Sequence, residues 1–208
     1  MASGKKVTLP GGRGELTSAG NVQNENFRQR GEEAAQTQSR GWSYSTAPST
    51  HGCASMPTYN IYLSAVPELM RDLRATKATT RMNALAAGHT AQIALYTMEL
   101  VPLPTFVQVR GTKIILNANL ATRQTIDLGG TASIPAGRPL FVGAWVSNAV
   151  PRLSGSPCIE MPFQVWRLEA ATGGLLERMP VAHLTKVEST NVYTPWVTYY
   201  SADAARIY

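Results

Sequence analysis

Up to residue 58 the apolar positions follow neither a period of 2 nor one of 3.6, and Gly, Ser, Thr, Asn and Gln dominate. A segment of that kind cannot bury enough apolar area to offset its chain entropy. Residues 1–58 are therefore expected to form an extended polar arm that does not fold alone. From Tyr59 the pattern changes to short apolar runs separated by turn residues. Residues 60–64 read as a strand closed by Pro67, and residues 91–98 (AQIALYTM) as a strand with Ile93, Leu95 and Thr97 on one face. Gly111-Thr112, flanked by residues 105–110 and 113–119, is a hairpin signal. The run Ile114-Ile115-Leu116 predicts a strand covered on both faces. Residues 122–128 form the next strand, ended by Gly129-Gly130, and Pro135-Ala136-Gly137 marks a further turn. Residues 139–147 (PLFVGAWVS) form the run expected to be most deeply buried. Residues 159–169 contain Pro162 and point to an edge or a bulge, Thr172-Gly173-Gly174 is a tight turn, and residues 192–200 end the body as one strand. A helical turn is predicted only over residues 66–73, with Pro67 at its start and Leu69, Met70 and Leu73 sharing a face.

Short strands, turn signals every 8–15 residues and the lack of long helical patterns predict an all-β body over residues 59–208, a β-sandwich or jelly roll carrying an extended N-terminal arm. Composition sharpens the division. Sixteen of the first 58 residues are apolar, against about half of the rest. Charged residues make up only 15% of the chain, below the roughly 25% of an average globular protein. No run approaches the roughly 20 apolar residues of a membrane span, and the N-terminus lacks the apolar stretch of a signal peptide, so no membrane partner is expected.

Lys and Arg outnumber Asp and Glu by 19 to 13, giving a net charge of +6. These charges are dispersed, six basic and four acidic in the arm and thirteen and nine in the body. No window has the Lys/Arg clustering that phosphate binding requires, so no specific nucleic acid is expected. Cys53 and Cys158 are too few for a disulfide framework and too far apart for a zinc knuckle. Free buried thiols and a single bridge from the arm's end to the body are the two readings of this pair.

The residues offer little chemistry. His51, His89 and His183 lie on separate segments with no second ligand at metal spacing. Ser154 lacks the Gly-x-Ser-x-Gly context of a nucleophile elbow and reads as a turn residue. Gly11-Gly12-Arg13-Gly14 lacks the strand, helix and Lys-Ser/Thr of a phosphate loop. A glycosidase could pair Glu160 with Glu169 or with Asp127 in space, since carboxylate pairs need no sequence motif, but the body's nine acidic residues are few and scattered. No catalytic residue, metal site or cofactor is expected.

Surface contacts are more promising. The arm reads either as a floppy tail or as a docking arm that orders against a neighbouring subunit. Val7, Leu9, Phe27, Trp42 and Tyr44 are the apolar anchors of the second reading, since a purely solvated linker is normally depleted of aromatics. Residues 24–38 could turn helical on binding, although Gly31 interrupts them. Trp145 and Trp166 sit in apolar runs and read as core. Trp196, Tyr199 and Tyr200 read either as core or as an aromatic surface for sugar stacking or subunit contact.

Three segments resemble the small jelly-roll modules of appendage, fibre and receptor-binding proteins of tailed phages. They are residues 59–67 (YNIYLSAVP), residues 91–97 (AQIALYT), and residues 126–155, in which a polar turn precedes Ile134-Pro135-Ala136-Gly137, a strand with Ala144-Trp145, and a loop ending in Leu153-Ser154-Gly155. The resemblance covers about half of the chain, in pieces. It departs at residues 98–105 (MELVPLPT), where an apolar, Pro-containing loop replaces the usual Gly/Asp-rich turn. An apolar loop left in water is costly unless a partner covers it, so Leu100, Val101, Pro102 and Leu103 are expected to be buried in an assembly. The resemblance implies a non-enzymatic structural protein of the virion, such as a head decoration or cement protein, or a short fibre or adaptor at the head or tail. Its implied partners are copies of itself, as a trimer by analogy, and other capsid, portal-proximal or tail proteins. The other reading it implies is a host-recognition module that binds a surface glycan through residues 147–156 or through Trp196 to Tyr200.

Overall fold

A computed structural model describes residues 7–8, 15–16, 43–46, 52–55, 59–83, 88–117, 123–147, 152–157, 165–187 and 193–201. The strands in chain order are β1 (Val7–Thr8), β2 (Glu15–Leu16), β3 (Ser43–Ser45), β4 (Gly52–Ser55), β5 (Ile61–Val66), β6 (Leu73–Asn83), β7 (Thr90–Glu99), β8 (Thr105–Gln108) and β9 (Ile114–Asn117). They continue with β10 (Arg123–Ile134), β11 (Leu140–Val146), β12 (Arg152–Pro157), β13 (Val165–Leu168), β14 (Arg178–Pro180), β15 (Thr185–Val187), β16 (Tyr193–Pro195) and β17 (Val197–Tyr200). A single 3-10 turn, Val181–His183, is the one helical element among the described residues.

The chain is an all-β sandwich of two antiparallel sheets. One sheet has the order β16-β12-β6-β17-β3, with β10 also on β6 and β4 also on β12. The other runs β14-β8-β7-β11-β5-β13-β15, with β9 also on β7. β1 and β2 form a separate hairpin, Val7 opposite Leu16.

Alternation of side chains assigns each face. In β7 the odd positions Ala91, Ile93 and Leu95, and in β11 the even positions from Leu140 to Val146, look toward the first sheet. There they meet Leu73, Ala78, Ile134, Val197 and Tyr199, which form the main core. The opposite face of the second sheet is apolar too, with Ile61, Leu63, Ala94, Tyr96, Phe106, Phe141 and Trp145. This explains why all seven residues of β11 are buried, as its unbroken apolar run predicts.

That second face is concave. Phe106 of β8 and Trp166 of β13 lie four strand spacings apart in the sheet order, about 19 Å if the sheet were flat. Their ring centroids are 6.1 Å apart, so the sheet curls almost onto itself around a second core. Residues 169–177 then cross the opening. Ala171 N–H donates to Tyr59 O, Ala171 O accepts from the Trp145 indole, and Leu175 N–H donates to Gln92 Oε1. The Tyr96 hydroxyl donates to Leu176 O, and Gln108 N–H to Glu177 O. The covering strap is pinned to β11, β7 and β8 in turn.

Several sequence expectations are corrected. The helical turn at 66–73 does not form: β5 runs to Val66, β6 starts at Leu73, and a loop lies between. Leu69 and Leu73 are buried while Met70 faces water, so the apolar residues are separated rather than stacked on one face. One turn of helix fixes several dihedrals for one hydrogen bond, which the loop avoids. Gly111-Thr112 is not a hairpin turn, since β8 and β9 both pair with β7. From Ile93 to Tyr96 β7 advances three residues while its partner covers six, Ile114 back to Gln108, so residues 109–113 are a bulge. Thr112 locks it: its hydroxyl donates to Val109 O and accepts from Leu95 N–H, and its carbonyl accepts from the Tyr199 hydroxyl. Ile115 is 51% exposed, so β9 is covered on one face only.

Gly129-Gly130 likewise lies within β10 and does not end it. Asp127 pairs with Lys77 and Ala132 with Ala75, so five steps on β10 oppose two on β6. The two bulges meet: a Cβ on Gly111 (φ +81°) would stand 3.3 Å from Ala132 Cβ. Residues 192–200 divide into β16, on β12, and β17, on β6 and β3. Of residues 159–169 only those from Val165 onward are described, and β13 lies between β5 and β15, not at an edge. Ser154 stands in β12 opposite Cys53, not in a turn.

Candidate functional surface

The register brings three loops to one end of the sandwich. Leu140 pairs with Thr97 on one side and Val66 on the other, so the loops after β7, after β5 and before β11 emerge together. Two are tied down. Gly137 N–H donates to Leu69 O (3.0 Å) and Ala136 N–H to Asp72 Oδ1 (2.7 Å), while Leu69 plugs the core below. The third, residues 100–104, projects. Its base is held by Thr105 Oγ1 donating to Leu103 O, Val181 N–H donating to Pro104 O, and an Arg178–Glu99 ion pair at 2.7 Å. The Val101–Pro102 peptide is cis.

This tip is apolar and wet. Leu100 is 68% exposed, Val101 83% and Leu103 66%, with Pro102 and Pro104 exposed between and after them. Met70 from the neighbouring loop adds another 68% exposed side chain. The ionisable residues around it cancel: Glu68, Asp72 and Glu99 against Arg71, Arg138 and Arg178. Scattered exposed apolar residues are ordinary, but a contiguous projecting run is not. The sequence-predicted loop is thus placed at the surface, on a nearly neutral end.

The other predicted contacts fare differently. Tyr44 is not an anchor for another chain. It is fully buried in β3, opposite Tyr199 on β17, with its hydroxyl donating to Pro67 O at 2.7 Å. The reason is local: Thr46 follows it into the same slot, its hydroxyl donating to Pro195 O and accepting from Val197 N–H. Burial pushes the Tyr44 hydroxyl well above the ordinary tyrosine range, with the neighbouring Tyr199 adding to it. Val7 pairs with Leu16 in the β1–β2 hairpin, and Leu9, Phe27 and Trp42 lie outside the described residues, as do residues 24–38.

Trp196, Tyr199 and Tyr200 do not form one aromatic surface. Tyr199 points into the core, where burial raises its pKa, whereas Trp196 and Tyr200 are half-buried. Tyr200 lies on the outer face, where its hydroxyl accepts from Thr79 Oγ1 at 3.4 Å. Of the other proposed receptor segment, residues 147–156, those from Arg152 onward belong to β12, which pairs with β4, β6 and β16.

No group of three His, Cys, Asp or Glu side chains converges among the described residues. His183 is exposed and His89 half-buried, on different elements, and Asp127 and Glu169 are both exposed. His51, Cys158 and Glu160 lie outside the described residues, so the Cys53–Cys158 relation does too. No described helix is long and apolar enough to cross a membrane. Sequence reasoning found the tip but not its company, because the meeting of residues 67–72, 100–104 and 135–139 depends on strand register. Comparison of the chain with protein-family models, curated proteins and solved structures gives no match.

Proposed function

We propose that this chain is a non-enzymatic structural protein that seats the apolar end of its β-sandwich in a socket on a neighbouring protein. The exposed run Leu100, Val101, Pro102, Leu103 carries this reading. Burying each of the three branched aliphatic side chains is worth about 1.5–3 kcal/mol, gross. Association costs about 4–15 kcal/mol in lost freedom, so one such tip holds only weakly. Many copies on a repeating surface convert weak contacts into firm attachment through high effective concentration. The cancelled charge around the tip suits an apolar protein pocket better than an anionic surface.

The resemblance of three segments to tailed-phage jelly-roll modules points to a virion as the assembly, with the chain as a head decoration or cement protein or a short adaptor. The test is a triple variant, Leu100→Ser, Val101→Ser and Leu103→Ser. All three side chains face solvent, so the thermal midpoint should stay within about 2 °C of the parent while particle incorporation falls at least tenfold. Incorporation at the parent level would exclude the tip as the interface.

A further inference from the structure

Independently of that reading, we infer that the lateral depression between the two facing bulges is a binding site for a carboxylated sugar. The depression is open, about 470 Å³, within the range of small-ligand sites. Residues 109–113 of the second sheet form one wall and residues 128–133 of the first sheet the other, and both walls are stretches where three extra residues leave the ladder. Bulges of this kind bend a strand and re-aim side chains, and they concentrate next to functional sites.

The donors match one ligand class. Arg110 is the single charged lining residue, exposed, with no ion-pair or hydrogen-bond partner among the described residues. The nearest acid in sequence on the opposite wall, Asp127, accepts from Gly129 N–H at 2.9 Å. A planar guanidinium facing a solvent-open space is suited to a carboxylate, which it grips through two parallel N–H bonds. Thr131 and Ser133 add two hydroxyls that donate and accept, as sugar hydroxyls require. Leu128 supplies a small apolar patch for a ring face, and Gly129 and Gly130 let a ring approach the backbone. The floor is rigid, because Thr112 ties the first wall to Leu95, Val109 and Tyr199.

Two substitutions address the site without endangering the fold. Arg110→Gln removes the cation from an exposed side chain. Gly130→Leu fills the depression, and a Cβ at Gly130 meets no atom within 4 Å. The full chain would be titrated with glucuronate, glucose and acetate, with amide chemical shifts as the readout. Glucuronate should perturb the amides of residues 110–111 and 128–133, with glucose and acetate at least tenfold weaker. Each variant should weaken glucuronate by on the order of tenfold or more, from loss of a charge-assisted contact or of space. The tip triple-serine variant should bind as the parent does, which separates this site from the assembly surface. No response to glucuronate, an equal response to acetate or glucose, or undiminished binding in Arg110→Gln would each overturn the assignment.

Discussion

Single residues decide how closely the curled sheet can wrap. Gly143 lies at the middle of β11, facing the concave core, and an added Cβ would stand 2.5 Å from the Tyr96 ring. That ring has nowhere to go: its hydroxyl donates to Leu176 O and accepts from Gln108 Nε2. Gly143→Ala should therefore destabilise the protein by about 1–3 kcal/mol, through overpacking. Urea unfolding should show the loss as a lower midpoint at unchanged slope, whereas a cost below about 0.5 kcal/mol would mean that the ring is free to shift. The apolar run places Gly143 in a buried strand but does not show what its missing side chain makes room for, because that is a ring 47 positions away in the chain and adjacent only through the register of β7 and β11.

At the scale of elements, the boundary between arm and body is set by a short plug. β3 adds only three residue pairs to β17, yet Tyr44 and Thr46 are both fully buried. Removing residues 1–42 leaves Tyr44, Thr46 and their hydrogen bonds in place. Removing residues 1–46 empties the Tyr44 site and strips partners from Pro67, Pro195 and Val197, and should cost at least 3 kcal/mol. Equal midpoints for the two truncations would show that the plug contributes nothing. Polar composition hid this element: Ser-Tyr-Ser reads as arm because its neighbours are arm. The apolar runs were legible for the opposite reason, since β5, β7 and β11 carry their burial in their own residues. Gly111-Thr112 and Gly129-Gly130 misled because a left-handed glycine serves a hairpin turn and a bulge equally well, and only the partner strand distinguishes them. The apolar tip was readable as a run of residues; the lateral depression was not, since its walls come from different sheets.

The whole molecule answers to pH through its inner tyrosines. Tyr44, Tyr96 and Tyr199 have pKa values raised by burial, so the folded state keeps their protons where the unfolded chain releases them. The stability that this contributes is fully present below about pH 10, the ordinary tyrosine value, and is lost as pH rises beyond it. Three such groups give a slope of roughly 4 kcal/mol per pH unit, so unfolding should set in sharply between about pH 11 and 12. Absorbance of tyrosinate should rise in step with loss of the near-ultraviolet dichroism, with at least three of the eight tyrosines ionising only on unfolding. Ionisation of all eight in a still-folded protein would contradict the burial.

The strap across the curled sheet has a consequence for synthesis. Tyr96, Phe106, Phe141, Trp145 and Trp166 all precede residue 169, whereas Leu175, Met179 and Leu184, which pack against them, come after it. At the usual pace of translation the interval from Trp166 to Leu184 lasts on the order of one to a few seconds. During it the nascent chain displays a greasy hollow without its cover, and that interval is when it is most prone to aggregate and most in need of a chaperone.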